Sequence, residues 1–267
     1  MKIATWNVKM GAAIPWYDGK TISESTVDSI MDVKADIFVI TEIALTSGWD
    51  YLEEKMKENE YVWFFSFVSG SNGILILVKK NLIKNSKELA QNLWWKKETL
   101  HSCDDIGLLK VSFKMNDNKL CTVCGFRMLM EKTEDTQLKE KYDKMRKIFD
   151  ENVLPVANEC YLENDVTIFA GDFNHARYLD DYTGKSQINY NWQIIKSEFE
   201  KIGYEMLDVN DSNKPIITKK KDKTAPASPI DHIFTKGFSK KRCVVLPDNE
   251  LSDHLILWAE ILKVSKS

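Results

Sequence analysis

Several things that would settle a protein's class at once are scarce or missing here. Five cysteines (Cys103, Cys121, Cys124, Cys160 and Cys243) are too scattered, and odd in number, for the disulfide framework of a small secreted domain. Cys121 and Cys124 have C-x-x-C spacing, but no second such pair completes a zinc site. Two small buried thiols in a strand-like run are the better reading. The opening Met1-Lys2-Ile3-Ala4-Thr5-Trp6-Asn7 lacks the apolar core and cleavage site of a signal peptide, and no apolar run approaches the length of a membrane span. Positive charge is not in excess: 37 Lys and Arg face 40 Asp and Glu, a formal net charge of −3. That balance argues against non-specific coating of nucleic acid, while leaving room for a local basic groove. A reducing, cytoplasmic setting follows, with neither a membrane nor a protein partner expected.

What is present is ordinary globular composition, 43% hydrophobic and 29% charged, over 267 residues. This length suits one large α/β domain that buries most of its unfolded surface without staples. Strand-like and helix-like segments alternate throughout. Residues 2–8, 37–41, 61–68 and 73–79 read as strands, and 108–115 with 119–126 as a hairpin around Asn116-Asp117-Asn118. Residues 165–170, 230–235, 243–246 and 254–262 complete the strands. Helical stripes run through Val27, Ile30 and Met31, with Ser25 and Asp28 spaced as a capping box. Others run through Trp49, Leu52 and Met56; through Leu138, Tyr142, Met145 and Phe149, ending near Pro155; and through Trp192, Ile195, Phe199 and Ile202. Residues 209–229 form a polar loop long enough to suggest binding. Strands outnumber helices, which predicts two packed sheets with helices outside, in one domain spanning 1–267.

Polar residues punctuate the ends of the apolar runs. Asn7 closes the first strand, Glu42 follows the second, and Asp172 and Asn174 follow Ile168-Phe169-Ala170. Asp231 lies within Pro229-Ile230-Asp231-His232-Ile233-Phe234, and Asp253-His254 opens the last strand. Any one of these alone is an ordinary turn or cap residue. Together they are carboxylates beside buried strands, costly unless paired or bound to a cation. Converging oxygens are what Mg²⁺ needs, with water and substrate phosphate completing its shell.

The same residues resemble the endonuclease/exonuclease/phosphatase superfamily over nearly the whole chain. Thr5-Trp6-Asn7 is similar to the opening T/S-W-N motif. Asp36 to Glu42 is similar to D-I-(apolar)-Q-E, with Thr41 in place of Gln. Gly73-Ile74-Leu75-Ile76 fits the glycine-led strand that follows, Gly171-Asp172-Phe173-Asn174 fits G-D-F/L-N, and Ile230-Asp231-His232-Ile233-Phe234 is similar to I-D-Y-I-F. Ser252-Asp253-His254 fits the terminal S-D-H. The resemblance implies a four-layer sandwich, two mixed sheets face to face with helices on both outer sides, and an active site at one rim.

It also implies roles. Glu42 would hold Mg²⁺, for which Mn²⁺ could substitute. Asn7 would serve the metal shell or the substrate phosphate, and Asp253 would bind metal directly or through water. Asp172 would orient and deprotonate the attacking water, and Asn174 would donate to the pentacovalent phosphorane. His254 would meet the phosphate as a cation held by Asp231. One departure from the pattern matters for the site. Arg127 stands where a His or Tyr should contact the scissile phosphate, so it is either a phosphate ligand or a surface arginine. Asn72, in the turn before Gly73, is a further candidate for the rim. His175 is either a substrate contact or a solvated loop residue, His232 reads as packing, and His101 carries no signal. Lys219-Lys220-Lys221-Asp222-Lys223 and the lysines of 236–242 flank Asp231 in sequence, and Trp94-Trp95 precede Lys96-Lys97. These favour nucleic acid, DNA above all, as the substrate. An inositol phosphate, a lipid headgroup or a small nucleotide is the alternative, and each such stretch is also what a solvated loop or a packed core looks like.

Overall fold

Along β1 (Lys2–Asn7), Ile3, Thr5 and Asn7 alternate with Ala4 and Trp6, and every residue from Ile3 onward is buried. A strand covered on both faces must lie between two layers. The computed structural model describes residues 1–9, 22–45, 47–66, 73–84, 96–100, 106–128, 146–174, 192–207, 217–220 and 230–263. Among the described residues twelve strands run in chain order. They are β1, β2 (Ile37–Ile43), β3 (Tyr61–Phe65), β4 (Gly73–Lys79), β5 (Lys96–Leu100), β6 (Ile106–Lys114), β7 (Leu120–Met128), β8 (Val166–Asp172), β9 (Glu205–Met206), β10 (Asp231–Lys236), β11 (Phe238–Val245) and β12 (Leu257–Lys263). The helices are α1 (Glu24–Asp32), α2 (Trp49–Glu58), α3 (Leu154–Glu163) and α4 (Trp192–Ile202).

The strands form two six-stranded sheets, ordered β11-β12-β1-β2-β4-β3 and β5-β6-β7-β8-β10-β9. Both are mixed: β1 pairs parallel with β2 and β7 parallel with β8, and the remaining pairs are antiparallel. Alternation sorts the side chains into three apolar layers. Ile3, Val39 and Ile76 of the first sheet meet Val123, Ile168 and Ile233 of the second. Trp6, Phe38 and Leu75 pack on α1 and α2, while Phe126, Phe169 and Phe234 pack on α3 and α4. The result is the expected order of helices, sheet, sheet and helices. Each fully buried large apolar side chain contributes about 1.5–3 kcal/mol relative to an exposed one. At Gly125 the sheets come so close that an added Cβ would lie 2.6 Å from Ile74 Cγ2.

Several local expectations are corrected. Ser23, not Ser25, caps α1, its Oγ accepting from the Thr26 amide at 3.1 Å, because the chain turns into the helix two residues earlier. Pro155 does not end a helix. A π-helical turn, Phe149–Val153, precedes α3, and its altered bonding places Pro155 in the first turn, where a missing N–H costs nothing. The last strand starts at Leu257, so His254 lies before it, in an isolated bridge with Lys219. β11 begins earlier than residue 243, and β5 and β9 have no counterpart in the sequence reading. Of the stripe leading to Phe149, residues 138, 142 and 145 lie outside the described residues, as do Trp94 and Trp95. No helix among the described residues is long and apolar enough to cross a membrane.

Candidate active site

Four strand ends place polar side chains where the layer between the sheets runs out. Asn7 continues the row of Ile3, Arg127 that of Cys121 and Val123, Asp172 that of Ile168 and Ala170, and Asp231 the row of Ile233. Register makes them neighbours: Asp231 is directly opposite Asp172, and Arg127 is the parallel partner of Asp172. All four are buried.

Glu42 reaches this group through a break in regular pairing. Strict alternation would turn it toward the helices with Phe38 and Ile40. A bulge between Thr41 and Ile43 leaves Glu42 unpaired with φ at 57°, and Ile43 takes the helix-facing place instead. The carboxylate is thereby released toward the rim. Asn7 Nδ2 donates to Glu42 Oε1 at 2.9 Å and to Asp172 Oδ2 at 2.8 Å. Arg127 donates to the same Glu42 Oε1 from Nε at 3.1 Å and from Nη2 at 2.6 Å. Burial alone would raise the Glu42 carboxyl, but the Arg127 guanidinium and these hydrogen bonds outweigh it and hold it below the usual carboxylate value.

Asp172 is fully buried and bound by neutral donors. Its Oδ1 accepts from the Asn174 amide at 2.9 Å, and its Oδ2 accepts from Asn174 Nδ2 at 2.9 Å as well as from Asn7. Asn174 also donates to Met128 O at 2.6 Å, from a backbone with φ at 48°. Burial first, then the neighbouring Asp231, push the Asp172 carboxyl up to about 7, against the pull of His254 and Arg127. A carboxylate that gains and loses its proton near neutrality is suited to accept one from water.

His254 Nδ1 and Asp231 Oδ2 lie 2.9 Å apart. Burial would lower the imidazole pKa, but the Asp231 carboxylate and its hydrogen bond prevail and raise it to about 9. The ring is therefore a cation at neutral pH, and no described residue hydrogen-bonds to its Nε2. Its backbone is pinned as well: Trp6 Nε1 donates to His254 O at 3.1 Å, the His254 amide to Ser252 Oγ at 3.1 Å, and Ser252 Oγ to Asn7 O at 2.7 Å. Asp253 lies beside it, paired with Lys9 at 2.7 Å and Lys219 at 3.9 Å. His232 packs its ring 5.4 Å from Phe173, on the helix side, as alternation requires.

Thr218 went unnoticed in the sequence. The residue is 1% exposed, and its hydroxyl accepts from the backbone amides of Ile230 at 3.1 Å and Asp231 at 3.0 Å, fixing the strand that carries the His254 partner. No sequence signal marks a lone threonine far along the chain from its partners. Asn72 and His175 lie outside the described residues.

The donor set fits a hard divalent cation. One ligand atom each from Asp172, Asp231 and His254 lies within 4.8 Å of the others. An imidazolium is a poor ligand, so the carboxylates carry the argument. Asp231 Oδ1 is buried with no hydrogen-bond partner among the described residues, and all three described donors to Glu42 converge on Oε1, leaving Oε2. Asn7 turns the donor side of its amide to both carboxylates, and its Oδ1 accepts from the Lys9 amide at 2.9 Å.

The chain belongs to the Endonuclease/Exonuclease/phosphatase family, whose sequence profile matches residues 4–254. No curated protein matches it. Among solved structures it is similar to truncated Caenorhabditis elegans TDP2 at 12% identity and a TM-score of 0.60, covering 97% of this chain and 95% of that one. It is similar to the 3′ phosphatase NExo from Neisseria, bound to product DNA hairpin, at 14% identity and a TM-score of 0.61, covering 97% and 98%. A Cimex nitrophorin in a ferrous NO complex is also similar, at 13% identity and a TM-score of 0.57, covering 97% of each chain. Identities this low show the fold alone, and a nitrophorin on the same fold means that chemistry must be argued from side chains.

Proposed function

We propose that the chain hydrolyses phosphodiester bonds in nucleic acid, with DNA favoured, by attack of water in the presence of Mg²⁺ or Mn²⁺. The observation that carries this reading is the meeting of Asp172, poised near neutrality, with the protonated His254–Asp231 pair across one register step. Asp172 takes the proton of the attacking water, while Asn7 and Asn174 hold its carboxylate in place. His254 Nε2 donates to a phosphate oxygen as charge builds there, and Asp231 keeps the ring oriented and charged. A divalent cation held by Glu42, with Asp172 and Asp231 nearby, supplies further neutralisation of the phosphate when bound. NExo shares this fold and its structure holds a product DNA hairpin, so the architecture is one that accommodates nucleic acid.

A small phosphoester is the second reading, favoured by charge pairing. Lys219 is paired with Asp253, Lys220 with Asp248 and Lys241 with Glu260, which mutes the basic stretches that would track a phosphate backbone. One parallel assay separates the two. Supercoiled plasmid, single-stranded DNA, RNA, inositol phosphates and a chromogenic phosphodiester are each tested with Mg²⁺, with EDTA, and with Asp172→Ala and His254→Ala. Cleavage of DNA, abolished by EDTA and by both substitutions, is expected. Undiminished cleavage by either variant overturns the site.

A further inference from the structure

Arg127 stands where the resemblance implies a His or Tyr, and its placement answers what it does there. It is 7% exposed, at the end of β7, and two of its N–H groups converge on Glu42 Oε1. A guanidinium does not give up its proton in a protein, so this is a permanent positive charge sealed against the carboxylate. Asp231 has its own cation in His254, 2.9 Å away, whereas Asp172 is held at hydrogen-bond distance by neutral amides. Asp253 is paired with Lys9 and Lys219, so among the rim carboxylates Asp172 alone is held by neutral described donors.

We infer that Arg127 is a built-in counter-cation of Glu42, which balances that carboxylate in the metal-free protein and keeps the affinity for a divalent ion low. The inference rests on the reading that Glu42 holds the metal. Two effects of Arg127 oppose one another. It fixes Glu42, which favours binding, and it places a unit positive charge beside the incoming cation, which disfavours it. The second is larger. Asn7 Nδ2 already anchors the same Oε1, so orientation survives without Arg127, whereas the guanidinium charge acts at close range in a seam from which water is largely excluded. The consequence is a site that takes up its metal chiefly together with an anionic phosphoester, whose charge offsets that of the guanidinium.

The test is calorimetric titration of the full-length protein with Mg²⁺ alone, comparing the unmodified chain with Arg127→Met, Arg127→Gln, Arg127→Lys and Glu42→Gln. Both neutral Arg127 variants are expected to bind Mg²⁺ about tenfold or more tightly than the unmodified chain. Arg127→Lys, which keeps the charge and loses the fork, should stay close to the unmodified chain, and Glu42→Gln should bind about tenfold or more weakly. Melting without metal gives a second readout. Arg127→Met should melt below the unmodified chain and gain more from saturating Mg²⁺. Neutral Arg127 variants that bind Mg²⁺ no more tightly than the unmodified chain overturn the inference, whether or not they melt earlier. If Glu42→Gln binds Mg²⁺ as well as the unmodified chain, the metal reading itself has failed, a result distinct from the first.

Discussion

Replacing Asp231 by asparagine changes one oxygen for an amide and leaves the shape of β10 intact. Its effect falls on His254, whose imidazole loses the carboxylate 2.9 Å from Nδ1. In the native chain burial lowers the imidazole pKa while Asp231, first by charge and then by hydrogen bonding, lifts it from the ordinary 6.5 to about 9. That rise corresponds to about 3 kcal/mol in favour of the imidazolium. With Asp231→Asn only burial and weaker, more distant charges remain, so His254 should titrate at or below 6.5. At pH 8 the ring would be mostly neutral, and a donor that met the phosphate as a cation would be lost. The turnover number at pH 8 should fall by about a hundredfold or more, the scale of losing one transition-state donor. Titration of the ring protons by NMR checks the pKa directly, with His254→Gln identifying the resonance. A His254 that still titrates near 9 in Asp231→Asn refutes the reasoning, because the charge would then come from elsewhere. The same shift has a signature in stability. The folded-state pKa is raised, so its contribution is complete below 6.5 and is lost as pH climbs through 9, and Asp231→Asn should flatten that alkaline decline.

The pH–rate profile should rise toward about 7, where Asp172 loses its proton, and fall above about 9, where His254 does. With saturating Mg²⁺ the acid limb should move to lower pH, since a bound cation favours the carboxylate. Asp172 acts on stability in the opposite sense to a salt-bridged acid. Its pKa is raised from 3.8, so its burial costs least in acid and stability declines as pH rises through 7, a decline that Asp172→Asn should remove in urea titrations at several pH values. Thr218→Val strips two buried amides of their acceptor and should cost about 1–3 kcal/mol in chemical denaturation, with activity falling further than stability alone explains. Gly171→Ala should fail to fold or melt far below the native chain, because φ at 144° excludes a side chain and the added Cβ would lie 1.9 Å from Phe126 O. Near-native melting of that variant would show that the β7–β8 seam yields.

The layers were legible because alternation is local. Ile37 through Ile40 must bury both faces, and Asp172 and Asp231 had to end their strands wherever apolar residues stopped. Their meeting follows from register, which two strands share only once the sheets exist. Glu42 was legible as a carboxylate beside a strand, but its direction depends on a bulge that no propensity announces. Arg127 could be read as a phosphate ligand or a surface residue, yet it is buried against Glu42, a partner 85 positions away. The π turn before Pro155, the cap at Ser23 and the hydroxyl of Thr218 share this cause. Each is decided by what packs against the segment, not by the residues within it.

Asn7 belongs to the first sheet and Asp172 to the second, so the hydrogen bond between them crosses the seam where the two halves of the molecule touch. The geometry of the candidate site therefore depends on the gap between the sheets, which is narrow where Gly125 faces Ile74. A side chain added at Gly125, two residues before Arg127, would wedge the halves apart and lengthen that bond before it unfolded anything. Such a protein would look healthy in a melting curve and be nearly dead in an assay.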